Sequence, residues 1–498
     1  MMKPAIIAVV TTLVVVSGCA VGPDYHPPKA STPSGWATPL ADGETNGPAD
    51  LADWWKHFSD TNLDSLMTMA IQSNLTLRGA EAHVREARAD RDVVAGGLWP
   101  SVGSSASYSR NRFGANSFPP LPPGTVLDYN LYNAGFDAAW ELDVFGGTRR
   151  AVQAANAEIG AAETGRREVL VSLLAEVARN YVEARGYQQR LIITRQNIQV
   201  QQEALELTQN RFQNGLGSDL EIQQATALLE KTRAQLPSLE TGFTQSVHHV
   251  AVLIGQPPGT LVDAMSAENP IPPVPPRVPV GLPSDLLQRR PDVQRAEREL
   301  AAATARIGVA KADLFPKFSL TGTIGLQSES TGNWFDYASR YWSAGPTMQW
   351  EIFAAGSIRA NIRVQNARQE QALDAYQQTV LVALEDVENA LTAYAREQIR
   401  RQSLSQSVQA GEQSLELSTQ LYKSGLVDFL HVLDAERSLY EAQDALVQSD
   451  QAITLNLVQL YKALGGGWQD KMSANPTGEA ERMDGDNKPA DDRVTPAG

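Results

Sequence analysis

The chain is poor in cysteine, in basic relative to acidic residues, and in long apolar runs, and each shortage excludes something. A single cysteine, Cys19, in 498 residues leaves no intrachain disulfide framework and no cysteine-based metal site. The six histidines (His26, His57, His83, His248, His249, His431) show no metal-ligand spacing with carboxylates. The adjacent His248-His249 pair would point about 100° apart on a helix. With 42 Lys and Arg against 57 Asp and Glu, the net charge is −15. Acidic surface opposes phosphate, so no nucleic-acid partner is expected. No nucleophile elbow, P-loop or Rossmann fingerprint occurs, which argues against an enzyme. Past the N-terminus no apolar run is long enough for a transmembrane helix, so a membrane crossing by this chain would have to use strands.

The N-terminus accounts for the lone cysteine. Lys3 precedes an apolar run, Ala5–Val16, of about twelve residues, too short to span a bilayer but suited to a signal-peptide core. The run ends in Val16-Ser17-Gly18-Cys19, which resembles a bacterial lipobox. The expected product loses residues 1–18 and carries S-diacylglycerol and N-palmitoyl groups on Cys19, its only cofactor-like feature. Three acyl chains bind a membrane far more firmly than one. Ala20, rather than Asp, follows the cysteine, so sorting to the outer membrane is expected.

Along the mature chain, 19–50 reads as a lipidated extended linker rich in Pro, Gly, Ser and Thr. A helical pattern follows from Leu51, with Leu63, Leu66, Met67, Ala70 and Ile71 as its stripe. The helical period is lost over 101–145. Gly146-Gly147 then open a stretch without proline to about Asn214, which as one helix would reach roughly 100 Å. Gly215 and Gly217 break it. A second helical stretch runs from Ser218 to Ile254, with a bend expected at Pro237. The pattern then recurs. Leu98-Trp99-Pro100 returns as Leu314-Phe315-Pro316, 216 residues on, and Trp140-Glu141-Leu142 as Trp350-Glu351-Ile352, 210 on. Gly215-Leu216 returns as Gly425-Leu426 and Gly255 as Gly465 at the same 210 offset. The chain thus divides into a first repeat over 51–255 (strand pair about 101–143, tip near 215), a Pro-rich linker over 256–283, a second repeat over 284–467 (strand pair about 317–353, tip near 425), and a disordered tail over 468–498.

The strand pairs alternate. Tyr132, Ala134, Phe136, Ala138, Trp140 and Leu142 oppose Asn133, Gly135, Asp137, Ala139 and Glu141. Residues 317–327 and 342–352 alternate likewise, and 101–110 does so weakly through Val102, Ala106 and Tyr108. Period-two alternation with aromatics near the ends fits a transmembrane barrel strand, although any half-buried strand also alternates. Four strands cannot close a barrel alone. Eight would leave an interior filled by side chains and twelve a pore, so a conducting function favours a trimer over a dimer.

Several segments, in order along the chain, resemble the outer-membrane factors of tripartite efflux systems, the TolC/OprM-like family and its lipoprotein branch. They are Cys19-Ala-Val-Gly-Pro-Asp-Tyr25, Trp54-Trp55-Lys-His-Phe-Ser-Asp60, Gly281-Leu-Pro-Ser-Asp-Leu-Leu-Gln-Arg-Arg-Pro-Asp-Val293, Ile307-Gly308-Val-Ala-Lys-Ala312 and Phe315-Pro316. The resemblance implies a mainly α fold with a membrane β-barrel part: a homotrimer whose 12-stranded barrel is continued by a periplasmic α-helical barrel. It also implies partners, namely a periplasmic adaptor (membrane fusion) protein, an inner-membrane pump of the RND type and outer-membrane lipid. The function implied is an exit duct of an efflux pump. The readings kept beside it are a type I protein-secretion conduit and a lipid-anchored periplasmic coiled-coil scaffold. Methionine is sparse at eight and absent from the tips, which disfavours a copper or silver system.

The two tips are the candidate gate. Glycine supplies each turn and a following polar residue is expected to cap the next helix. The resemblance makes Gly215, Leu216, Gly217, Gly425 and Leu426 adaptor-contact positions. It matches Asp434 to a constriction-lining aspartate, Tyr422 to a tyrosine that holds the entrance shut, and Glu221 to its acidic partner on the other tip. A second ring aspartate is His431 here, an entrance arginine is Val427, and Arg437 lies at i+3 from Asp434, where it can pair with it. Two readings of His431 stand side by side, an ordinary exposed polar residue and a group that makes closure pH-sensitive.

Overall fold

The computed structural model describes residues 20–29, 32–39, 44–45, 51–113, 127–275 and 278–469. The signal peptide, Cys19 and residues 470–498 of the expected tail lie outside the described residues. After the short 3-10 turn Trp54–Phe58 come α1 (Thr61–Ser73), α2 (Leu75–Gly96), β1 (Ser101–Phe113), β2 (Leu127–Leu142), α3 (Gly147–Gln213), α4 (Asp219–Arg233) and α5 (Leu236–Leu253). The second repeat gives α6 (Pro291–Ala312), β3 (Lys317–Ser328), β4 (Arg340–Gln349), α7 (Ser357–Lys423) and α8 (Phe429–Ala463). Helices α3 and α7 have 67 residues each. The expected bend falls at 234–235, between α4 and α5, with Pro237 in the first turn of α5 where a missing N–H costs nothing. No described helix is long and apolar enough to cross a membrane.

The chain forms two compact units that cut across the sequence repeats. One comprises residues 1–31, 79–166 and 292–381, the other 32–78, 167–291 and 382–498. In the first, the strand pairs of both repeats join into one four-stranded antiparallel sheet, ordered β1-β2-β3-β4. Its register lines Ser104, Phe136, Ile324 and Trp342 in one row and Val102, Ala138, Gly322 and Ala344 in another. The rows Trp140–Leu320–Pro346 and Leu142–Phe318–Met348 belong to the same face. The opposite face carries Gly103–Asp137–Thr323–Ser343 and Ser105–Gly135–Gly325–Tyr341. One face is apolar and the other polar and small, and the apolar side is open: Phe136, Ile324 and Trp342 are 61%, 63% and 77% exposed.

The repeated anchor motifs meet in space. Trp140 donates its indole N–H to the Leu98 carbonyl at 2.9 Å, and Trp350 to the Leu314 carbonyl at 3.1 Å. Strand β4 stops at Gln349, short of the expected 352–353. There the Trp350 indole fixes the chain from its side chain.

In the second unit the core gathers around the tryptophan-rich turn. Trp54 stacks on Tyr461 at 5.2 Å, with Phe58, Leu63 and Met67 also fully buried. Asp60 caps α1 by accepting from the N–H groups of Asn62 and Leu63, and it accepts the Tyr181 hydroxyl at 2.7 Å. The Pro-rich linker is structured in part: Val262–Met265 is a helical turn, and Val278–Pro279 pairs in parallel with Glu44–Thr45. Buried Arg185 and Gln188 on α3 hold its carbonyls at Ala267 and Met265 at 3.0 and 2.9 Å. The expected tail begins later than 468, because Trp468 donates to the Arg289 carbonyl at 2.9 Å and lies under the Arg167 guanidinium.

Candidate functional site

Both hairpin tips, in the second unit, are built alike. At the end of α3, Gly215 has φ +72°, its N–H bonds Phe212 O, and the Leu216 N–H bonds Arg211 O at 2.8 Å. At the end of α7, Gly425 has φ +71°, its N–H bonds Tyr422 O, and the Leu426 N–H bonds Leu421 O at 2.9 Å. These paired bonds are the Schellman arrangement, in which a left-handed residue turns the chain and satisfies the last carbonyls of the helix. Ser218 and Asp428 occupy the N-cap positions of α4 and α8 with extended backbone, but neither side chain accepts a capping bond. The expectation of side-chain caps fails here. Their backbone carbonyls instead take the N–H groups of Glu221 and His431, at 3.2 and 3.1 Å.

A small apolar cluster of Ala225, Tyr422, Phe429 and Val432 joins the two tips, with Leu205, Leu415 and Val427 packed on it. Tyr422 is buried at its centre, 5.2 Å from the Phe429 ring. Its hydroxyl donates to Glu221 Oε2 on the other hairpin at 2.8 Å. Gly217 makes room for that carboxylate, since a Cβ there would sit 3.2 Å from Glu221 Oε2. Burial, then the bond to Glu221 and its charge, push the Tyr422 hydroxyl up to about 12, with Arg211 opposing. The phenol is therefore a proton donor throughout the physiological range. The Arg211 guanidinium lies 4.6 Å from the Tyr422 ring centroid, close enough for a cation–π contact, and it reaches the carbonyls of Tyr422 and Leu216 at 3.5 and 3.4 Å.

The other expected site residues lie elsewhere on α8. Asp434 pairs with Arg437 at 2.6 Å, and both are more than half exposed. His431 is exposed on the same side, away from Phe429, Val432 and Glu436. The structure thus brings Tyr422 and Glu221 together and leaves His431, Asp434 and Arg437 on a solvent face. Leu216 and Leu426 project at 68% and 72% exposure, flanked by exposed Leu220 and Leu430. Sequence reasoning passed over Arg211, Phe429 and Glu436. The helical period would have flagged the last two, because both fall on the α8 face opposite Asp434.

An apolar-faced four-stranded sheet, joined in one chain to long helical hairpins with latched tips, defines a class of protein: outer-membrane channels built from strands and helices. The chain belongs to the outer membrane efflux protein family, whose model matches residues 66–256 and 282–466, one stretch in each repeat. Nodulation protein T of Rhizobium leguminosarum bv. viciae is 31% identical over 468 residues, covering 93% of each chain. The pyoverdine export outer membrane protein OpmQ of Pseudomonas aeruginosa is 32% identical over 469 residues, 93% of this chain and 97% of that one. Among solved structures, the outer-membrane channel OprN superposes with TM-score 0.84 at 36% identity, covering 91% of this chain and 100% of that one. The open state of the Neisseria gonorrhoeae MtrE channel superposes with TM-score 0.79 at 30% identity, covering 90% and 99%. The protein is an outer-membrane efflux channel with the fold of these channels.

Proposed function

We propose that this chain is the exit duct of a tripartite efflux pump. It works as a homotrimer, anchored by lipid on Cys19, and passively conducts substrates from a periplasmic adaptor and an RND-type inner-membrane pump to the exterior. The observation that carries this reading is the sheet. Among the described residues β1 and β4 each pair on one side only, and the apolar face is exposed. Open edges cannot face lipid, and three copies of a four-stranded sheet close a barrel wide enough for a pore. A soluble scaffold has no use for such a face. The four exposed leucines at the tips offer the adaptor an apolar surface.

The gate in this reading is the Tyr422–Glu221 bond, which ties the second hairpin to the first, while Asp434 lines the constriction beside it. Tyr422→Phe keeps the packed ring and removes the donor. A bond to a charged acceptor contributes about 1.5–3 kcal/mol, so in planar bilayers Tyr422→Phe should raise the open probability at least roughly tenfold. Asp434→Ala should lower cation preference at unchanged latch strength. Unaltered single-channel behaviour in both variants would overturn the gate assignment.

A further inference from the structure

Residues 20–25, in the first unit, follow directly on Cys19 and are gripped by the fold. Val21 donates its N–H to the Phe145 carbonyl at 3.0 Å. Arg150, in the first turn of α3, has a side chain only 6% exposed and meets the Asp24 carboxylate at 2.9 Å. Its guanidinium also donates to the carbonyls of Val21 at 3.0 Å, Gly22 at 3.3 Å and Ala20 at 3.4 Å. The Tyr25 hydroxyl donates to Glu297 on α6 at 2.8 Å. Three glycines clear the path. A Cβ on Gly146 would lie 2.6 Å from Ala20 Cα, one on Gly308 would lie 2.8 Å from Val21 O, and one on Gly22 would strike the Gly308 backbone.

The second repeat supplies an internal control. Gly356 stands 210 residues after Gly146 and has φ +84° against +76°, yet a Cβ there would meet nothing within 4 Å among the described residues. The counterpart of Arg150 is Ala360. The counterpart of Gly308, 216 residues back on α2, is Asp92. A strand-to-helix junction of this shape therefore needs neither the buried guanidinium nor the helix glycine. Both occur only where the N-terminal segment passes.

We propose that Arg150, Gly146 and Gly308 form a docking slot for the main chain of residues 20–25, and that filling it locks the first-repeat junction onto α6 as a step in assembly, independently of the acyl chains on Cys19. The slot reads carbonyl groups together with the Asp24 carboxylate and the Tyr25 hydroxyl, and a Ser/Gly segment offers only the first. Its ligand is a peptide bent at a glycine three residues after the cysteine, where φ is +102°, with an acidic residue two further on. Without those acceptors the guanidinium keeps its bond to Gln153 at 2.8 Å and loses its carboxylate partner Asp24. Phe145, whose carbonyl the segment occupies, stacks on Phe315 at 4.5 Å. These two residues lead out of β2 and into β3, so loosening here reaches the sheet register. The assembly readout rests on the trimer reading above, and the anchor on the lipidation reading.

The test uses the full-length protein in detergent with three readouts: palmitate incorporation, amide exchange at Val21, and heat-resistant trimers on gels. Arg150→Gln, and replacement of residues 20–25 by a Ser/Gly segment that leaves the slot intact, should keep the palmitate label. Arg150→Gln should lose protection at Val21, and both should give roughly tenfold fewer trimers. Gly146→Ala and Gly356→Ala both place a Cβ on a left-handed residue, so they carry the same backbone cost; only Gly146→Ala should deplete trimers. Cys19→Ser, exported behind a non-lipoprotein signal peptide, should lose the label and keep the trimers. The proposal is overturned if Val21 stays protected in Arg150→Gln, if Gly356→Ala matches Gly146→Ala, or if Cys19→Ser loses trimers while Val21 stays protected. An unlabelled wild type strikes the lipidation reading alone, and a wild type without trimers strikes the trimer reading. In either case amide exchange still decides the slot.

Discussion

Glu436 lies two residues past Asp434, which on a helix is the opposite face. Asp434 is exposed beside Arg437, whereas Glu436 is 4% exposed and its Oε2 has no partner among the described residues. Gln201 on α3 is likewise buried, with neither amide atom partnered among the described residues. The antiparallel contacts Arg190–Asp444 and Thr194–Tyr440 place Gln201 within about one turn of Glu436. Burial alone pushes the Glu436 carboxyl up to about 7. The nearby charges Glu203, Lys231, Glu412, Asp434 and Arg437 are all exposed. A carboxyl raised on folding binds more protons in the folded state. Its stabilisation is full below about pH 4.5, falls as pH rises towards about 7, and is flat beyond, for a total of about 3 kcal/mol. Glu436→Gln removes the ionisation without changing the shape. It should raise the unfolding midpoint at pH 8 and leave it nearly unchanged at pH 5. An equal shift at both pH values would show that Glu436 does not carry this proton.

At the scale of elements, the tips need Gly215 and Gly425 for conformation alone. A Cβ on Gly425 would meet nothing within 4 Å, so Gly425→Ala costs only the left-handed backbone, about 1 kcal/mol. Amide exchange around Tyr422–Leu426 should then quicken roughly fivefold, with no change in exchange near Trp54. An equal response at both places would mean a global loss rather than a local one. These turns were legible in the sequence because glycine at a helix end has one dominant use. The strands were legible where they alternate, as in β2 and β3. Strand β1 was faint, since serines occupy both of its faces, and only its pairing with β2 over Ser101–Phe113 gives it 13 residues. The failed caps at Ser218 and Asp428 and the latch between Tyr422 and Glu221 were of different kinds. Cap geometry depends on a side-chain rotamer that no spacing encodes. The latch joins positions 201 residues apart, and it was reached through family resemblance rather than through periodicity. Arg211 and the slot around Arg150 were missed because a partly or fully buried guanidinium looks in sequence like any surface arginine.

For the whole molecule, the decisive question is which face of the sheet meets lipid. Ile324 and Thr323 are neighbours on β3 with opposite surroundings: Ile324 stands in a row with Phe136 and Trp342, and Thr323 with Asp137 and Ser343. If three sheets close a barrel with the apolar face outward, a lysine at 324 enters the hydrocarbon and costs about 2–4 kcal/mol per copy, and closure repeats that cost three times. A lysine at 323 enters the water-filled lumen beside Asp137, so three copies bring three positive charges to one level of the pore. Ile324→Lys should therefore abolish heat-resistant trimers in the outer-membrane fraction. Thr323→Lys should assemble normally and shift the reversal potential towards anions. A soluble scaffold would tolerate both, and a barrel closed the other way round would reverse them. The pair thus tests orientation, closure and conduction, because each depends on the same one-residue alternation along β3.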